Sequence, residues 1–360
     1  MTDDTRRGAA GRARHDRPAR RPPSRAVAEA AGATDRTPGP DGILLVRKPI
    51  GPTSHDVVAI VRRLAGTRRV GHGGTLDPFA SGILPLFLGR ATRIVEYHMG
   101  DRKRYRATIC FGASSTTDDL EGDLTPSEGP APSRAAVEAA LDGFRGRIVQ
   151  VPPAYSAVKV AGRRAYALAR AGKTPEIAPR TVTIDRLEMV DWDETDPSRP
   201  IAIVEVACSA GTYVRALARD LGVALGSAAY LGALERTASG PFSVGDAVSL
   251  DELRDAPRET IGRRLLPLDA GLEALPLVDL DAAGVHAVER GQRIRDPRPA
   301  ARPGATPPEH PPADGEAAGS EAVRLRAPDG ELIAIGRADG GWIAPVKVLR
   351  PAGAAAERGD

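Results

Sequence analysis

The residues best able to do chemistry are gathered in Gly71-His72-Gly73-Gly74-Thr75-Leu76-Asp77-Pro78. Three glycines surround one histidine, and a single carboxylate stands directly before a proline. Glycine opens backbone angles closed to other residues and lets a large ligand approach the main chain. Pro78 has a fixed φ and biases Asp77 toward an extended conformation. A carboxylate held in this way can act as a nucleophile or as a base, although an isolated Asp-Pro only starts a turn. The surroundings are basic. Arg62 to Arg106 holds ten Lys or Arg against Asp77, Glu96 and Asp101, a local balance of +7 in a chain whose net charge is +3. Such a surface can face phosphates or can simply be solvated, and charge alone leaves both open.

Several elements must position these residues. Gly42 to Val46 is a short apolar run that reads as a strand and leads into Arg47-Lys48-Pro49-Ile50-Gly51-Pro52-Thr53-Ser54. Thr53 and Asp56 have capping-box spacing, and Val57, Ile60, Val61 and Leu64 recur at helical intervals until Gly66. Lys103 to Phe111 has a period of two that puts Tyr105, Ala107, Ile109 and Phe111 on one face of a strand. Thr116 to Asp123 is an acidic loop without the Asp and Gly spacing of a calcium site. From Ser133, the residues Val137, Ala140, Leu141 and Phe144 mark an amphipathic helix, and Pro152-Pro153 excludes a regular helix before Tyr155. Ile201 to Cys208 reads as a buried strand. It feeds a helix on which Val214, Leu217, Ala218 and Leu221 share one face, leaving Arg215 off that stripe and able to enter the strand-to-helix crevice.

Read together, these blocks resemble the TruB family of tRNA pseudouridine synthases. Its Gly-His-x-Gly-x-Leu-Asp-Pro-x-Ala-x-Gly signature runs from Gly71 to Gly82, with Gly73 where threonine is usual. Its Lys-Pro-x-Gly-x-Thr-Ser pattern is intact from Lys48 to Ser54. Further matches cover Lys103 to Ala107, Gln150 to Tyr166, Ser209 to Gly222 and Leu231 to Phe242. The resemblance implies an α+β protein with the pseudouridine synthase fold, a mixed and largely antiparallel central sheet flanked by helices. It implies Asp77, Tyr105 and Arg215 as the catalytic residues, with Arg215 paired to Asp77 and Tyr105 against the target base. His72, Lys48, Tyr213 and Leu234 would form the substrate-binding set: His72 enters the RNA loop, Lys48 supports the active-site loop, and Leu234 lines the base pocket. The Arg215 cation is expected to outweigh burial and to lower the pKa of Asp77.

The implied reaction isomerises the T-loop uridine of tRNA, position 55 in tRNA numbering, after flipping it from its stack. No electrons leave the system, so no cofactor is expected, and six scattered histidines with two distant cysteines offer no metal-ligand spacing. Rival readings are a tRNA-binding folding chaperone with little chemistry and a related, guide-dependent synthase acting on another RNA. A nucleotide-binding loop is excluded, because no Gly-Lys-Ser/Thr follows the glycines.

A chain of 360 residues suffices for one large domain and a small one. Residues 1–40 hold nine arginines and five acids with few large apolar side chains, and are expected to be a disordered basic tail. Residues 41–272 would be the catalytic domain. Asp329-Gly330 and Asp339-Gly340-Gly341 are turn signals between alternating segments, so residues 273–352 are expected to form a small β domain, PUA-like by resemblance, with a disordered proline-rich insert over 296–319. Residues 353–360 would be a tail. Cys110 and Cys208 fall in strand-like segments and are expected as buried thiols rather than a disulfide. With no apolar run long enough to span a bilayer, a monomeric cytoplasmic protein that contacts the tRNA T arm and no membrane is expected.

Overall fold

Apolar runs buried on both faces form the part of the sheet nearest the site. In the computed structural model, which describes residues 39–160, 162–298 and 321–350, β1 (Gly42–Lys48) and β3 (Ser81–Leu88) pair antiparallel, Leu44 opposite Leu86. One face, with Leu44, Val46, Leu84 and Leu86, packs under helix α1 (Ser54–Ala65) through Val57, Val58 and Val61. The other face, with Ile43, Leu45, Ile83 and Phe87, packs against Phe242, Leu268 and Leu272. Both faces are dry, so these strands read as continuous hydrophobic runs rather than as alternation. Helix α1 begins at the expected capping box between Thr53 and Asp56 and ends at Gly66 in the left-handed conformation.

A short β2 (Val70–His72) pairs with β3, and β4 (Lys103–Phe111) lies deeper in the sheet. Helix α2 (Arg134–Leu141) starts at the Ser133 cap. Next come β5 (Gly146–Gln150), β6 (Arg180–Asp193), β7 (Ile201–Cys208), helix α3 (Val214–Ala224), β8 (Ala229–Ser239) and β9 (Val248–Ser249). The strand order is β9-β1-β3-β8-β4-β7-β6-β5. The β1/β9 and β3/β8 pairs are parallel and the others antiparallel, which is the mixed, largely antiparallel sheet expected. Helix α3 packs Val214, Leu217 and Leu221 against Ala107, Ile109 and Leu231, and this cluster also holds Leu76, Phe79 and Leu234.

The β3/β8 seam is where the site is held. It has two register pairs, Glu235 with Ser81 and Arg236 with Gly82. Gly82 has φ +110°, and a Cβ there would lie 2.3 Å from the carbonyl oxygen of Arg236. Any larger residue would force the seam apart.

The C-terminal region forms a second sheet from β10 (Leu277–Asp279), β11 (Ile294–Arg295), β12 (Glu321–Arg326), β13 (Leu332–Asp339) and β14 (Trp342–Val348), with helix α4 (Ala282–Glu289) against it. Leu332, Ile335 and Leu349 share a core cluster with Ile43 and Phe87, so this sheet is packed onto the first. The turns at Asp329-Gly330 and Gly340-Gly341 use positive φ. The α4 helix carries no strong periodic signal and is not anticipated from sequence. Almost all of the expected N-terminal tail, the C-terminal tail and most of the proline-rich insert lie outside the described residues. Cys208 is buried as expected, whereas Cys110 is only partly so. They stand at opposite ends of paired strands, Cys110 beside Ile201 and Cys208 beside Lys103, and both are free thiols. Among the described residues no helix is long and apolar enough to cross a membrane.

Candidate active site

The loop that carries Asp77 is tied down on both sides before any charge is considered. Lys48, the last residue of β1, is fully buried, and its ammonium donates to the carbonyls of Pro49 at 2.9 Å, Pro78 at 3.2 Å and Ala80 at 2.6 Å. Burial lowers its pKa to about 8. The Gly51 N–H reaches the Pro78 carbonyl at 2.9 Å, and the Ser54 hydroxyl donates to the Leu76 carbonyl while accepting the Leu76 N–H. Lys48, grouped by resemblance with substrate-binding residues, therefore holds the backbone just after Asp77, while Ser54 holds it just before; the Lys48 ammonium is turned inward and is not free for a ligand. The sequence pattern around Lys48-Pro49 exists to buttress the loop.

Arg215 enters from the first turn of α3, in the crevice where β7 hands over to the helix. It is buried, and its Nε lies 3.1 Å from Asp77 Oδ2. One terminal nitrogen sits 3.1 Å from Asp119 Oδ2 and donates to the Thr117 carbonyl at 3.0 Å, and the other donates to the Tyr155 carbonyl at 3.0 Å. The guanidinium thus joins two carboxylates and two loops. Exposure separates the two acids: 36% of the Asp77 side chain reaches solvent but only 4% of Asp119. Asp77 is the member of this network that can meet a ligand.

Asp119 is a residue that sequence reading missed, because the acidic Thr116–Asp123 run looks like an ordinary solvated loop. Instead the run is zipped to β8, with the Leu231 N–H on the Asp118 carbonyl and the Leu120 N–H on the Leu231 carbonyl, both at 3.1 Å. Thr117 Oγ1 donates to Asp119 Oδ1 at 2.5 Å, and Arg219 pairs with Asp118 at 2.8 Å.

The electrostatic balance at Asp77 differs from expectation. Burial pushes its carboxyl above the usual carboxylate range; Asp119 pushes the same way, while Arg215 and Lys48 pull down without reversing the shift. The cation does not win, because desolvation is the largest effect on Asp77 and the second carboxylate that Arg215 serves pushes the same way.

The remaining expected residues surround this centre. Tyr105 is half-buried on β4, directly across the ladder from Arg236 on β8, and its hydroxyl contacts the Arg236 guanidinium. Leu234, two residues earlier on β8, is buried in the cluster with Leu76 and Phe79. Tyr213 caps α3; Gln150 clamps its main chain by accepting the Tyr213 N–H at 3.1 Å and donating to the Tyr213 carbonyl at 3.3 Å. The Arg180 guanidinium lies 5.5 Å from the Tyr213 ring centroid. His72 is half-buried, and its Nδ1 accepts the Gly74 N–H at 3.3 Å, an assignment that leaves the ring proton on Nε2. Burial and the neighbouring His55 ring, 5.5 Å away and edge-on, lower the pKa of His72 and keep it neutral. Among the described residues no cluster of His, Cys, Asp and Glu could hold a metal ion. The arrangement offers one partly exposed, rigidly held carboxylate, backed by a buried arginine, and a tyrosine hydroxyl on β4.

Comparison with known proteins fits this geometry. The family model for TruB family pseudouridylate synthase (N terminal domain) matches residues 62–214, and that for tRNA pseudouridylate synthase B C-terminal domain matches residues 215–273. The chain is similar to tRNA pseudouridine synthase B of Thermobifida fusca, 45% identical over 86% of this chain and 98% of that one. It is also similar to the protein of that name from Burkholderia mallei, 42% identical over 86% of this chain and 97% of the relative. Among solved structures, the archaeal box H/ACA sRNP Nop10–Cbf5 complex contains a chain that matches with TM-score 0.62 and 26% identity, covering 89% of this chain and 90% of that one.

Proposed function

This chain belongs to the TruB family of pseudouridylate synthases, and it isomerises uridine to pseudouridine in tRNA; we propose that the target is the T-loop uridine, position 55, and that Asp77, Tyr105 and Arg215 carry the reaction. The observation that carries the site assignment is the ion pair between the partly exposed Asp77 and the buried Arg215. The N1–C1′ bond of uridine breaks, the uracil turns, and a C5–C1′ bond replaces it. Asp77 as carboxylate either attacks the nucleotide or removes a ribose proton. Arg215 holds that carboxylate at a fixed place, so the flipped nucleotide meets a group that needs no reorganisation. The Tyr105 ring offers a face for the flipped uracil, and its hydroxyl can exchange a proton with it. His72, neutral and braced by Gly74, enters the space the base leaves, and Leu234 lines the pocket.

The T arm is the part of tRNA that carries this uridine. Arg68 and Arg69 are exposed just before β2, which leads into the loop, and can neutralise phosphates of the bound RNA. The test is direct: purified protein is incubated with an unmodified tRNA transcript without accessory proteins, and pseudouridine is mapped by carbodiimide labelling and primer extension. One new stop that reports the T-loop uridine is expected. Binding without modification would favour the chaperone reading, and modification only with a guide and partners would favour the second rival.

The raised carboxyl of Asp77 sets a pH dependence. The reactive form is the anion, so single-turnover rate should fall as pH drops through the raised folded-state pKa, with a one-proton slope. The acid limb should lie above the range of a free aspartate. A limb at or below pH about 3.9 would contradict the burial argument.

A further inference from the structure

Arg236 is only 1% exposed. Its Nε donates to the Ile83 carbonyl at 2.8 Å, one terminal nitrogen to the Thr75 carbonyl at 3.4 Å, and the other to the Gly74 carbonyl at 3.2 Å. Tyr105 stands directly across the ladder from Arg236, with its hydroxyl toward the guanidinium. Among the described residues no carboxylate forms an ion pair with it. Lys48 and Lys103 are also buried, and Lys103 donates to the His98 carbonyl at 3.3 Å, so three cations with carbonyl partners lie beneath the loop from Gly74 to Gly82. A buried charge is ordinarily matched by a counter-charge. Packing alone would favour an apolar residue at this place in β8, so an arginine here requires another reason.

The chemistry of the guanidinium supplies one. It has donors only, so the Tyr105 oxygen must accept from it, and the phenol proton is turned away from Arg236. The same cation grips Gly74 and Thr75, which lead from His72 to Asp77, and in the sheet it stands opposite both Tyr105 and Gly82. We infer that Arg236 is a positioning residue that aims the Tyr105 hydroxyl proton into the site while anchoring the loop that presents Asp77. This rests on the reading of Tyr105 as a catalytic residue. It adds a second arginine with a task different from that of Arg215: Arg215 secures the carboxylate, and Arg236 secures the phenol and the approach to the carboxylate.

A double-mutant cycle tests it. Arg236→Lys keeps the charge but loses the fork, and Arg236→Gln keeps donors but loses the charge. Single-turnover rates at saturating enzyme are measured on tRNA in the parent and in Tyr105→Phe, with tRNA affinity measured by filter binding and folding by thermal melts. Each Arg236 variant should slow the parent at least about tenfold with affinity within about twofold, and should slow Tyr105→Phe by a several-fold smaller factor, the remainder coming from its hold on Gly74 and Thr75. Equal losses in both backgrounds, or weaker binding at unchanged rate, would overturn the role of Arg236. An unimpaired Tyr105→Phe would instead overturn the reading of Tyr105, and the proposal with it. As a readout that a merely structural residue would not move, 3-fluorotyrosine at position 105 should titrate at higher pH in Arg236→Gln, because a neighbouring cation favours the phenolate. An unchanged titration, or failure of both variants to fold, places Arg236 in the core alone and overturns the assignment.

Discussion

Asp77→Asn is expected to form no detectable pseudouridine, a loss beyond about 10⁴-fold, while melting no lower than the parent. The first half follows from the loss of the reacting group itself, which removes chemistry more completely than the loss of a partner does. The second half follows from the sign of the shift at Asp77. Its folded-state pKa is raised, so the folded protein holds that proton more tightly than the unfolded chain, and ionisation lowers stability as pH rises through this window. Asparagine is permanently uncharged and escapes that penalty at neutral pH. Arg215 is not orphaned by the change, because Asp119 and the carbonyls of Thr117 and Tyr155 still receive it. Calorimetry beside a tritium-release assay on tRNA checks both halves. Turnover at the parental rate would show that the carboxylate is not the reacting group.

Arg215→Ala should fail differently, losing rate and stability together. Breaking a buried pair by removing one member typically costs about 3–5 kcal/mol. If that fell wholly on the transition state, the rate would drop by roughly two to four powers of ten. Here the deletion uncovers Asp119 as well, a carboxylate that is almost wholly buried, so part of the cost should appear as a lower melting temperature. Asp77 would then face Asp119 without the intervening cation, and its pKa would climb further. Residual activity should therefore rise with pH over a range where the parent is already flat. A variant that melts like the parent and keeps its flat profile would mean that the arginine is not the hub of the two acids.

Much of this site can be read from sequence, and the part that cannot has a physical reason. Asp77 is legible because proline and glycine declare their backbone demands, and Arg215 because it stands off the apolar stripe of α3 at the strand-to-helix crevice, where the family resemblance singles it out. The order of β1, α1, β4 and α3 follows from periodicity. Asp119 is not legible, since a buried acid in a turn-rich run has the composition of a solvated loop until strand β8 is laid against it. Arg236 left a signal that could have been used: with a period of two from Leu234 it shares the inward face of β8, where a cation calls for explanation. The balance at Asp77 was beyond reach, because it depends on how much water the folded crevice excludes and on a second acid sharing the arginine. Lys48 shows the opposite limit, in that a motif identifies a residue without saying which way its side chain turns.

The β3/β8 seam also governs when the protein can first act. Arg236 and Thr75, which it joins, are 161 residues apart in the chain, and Arg215 and Asp119 are 96 apart. Contacts so distant form only after the intervening strands have been gathered, and such pairings are slow to establish. A chain emerging from the ribosome therefore carries the complete Gly71–Pro85 loop, braced by Lys48, Gly51 and Ser54, long before it has Arg215 or Arg236. Catalytic competence cannot precede the synthesis of β8, and every fragment that stops short of Arg236 displays the reactive loop with Gly74 and Thr75 unheld.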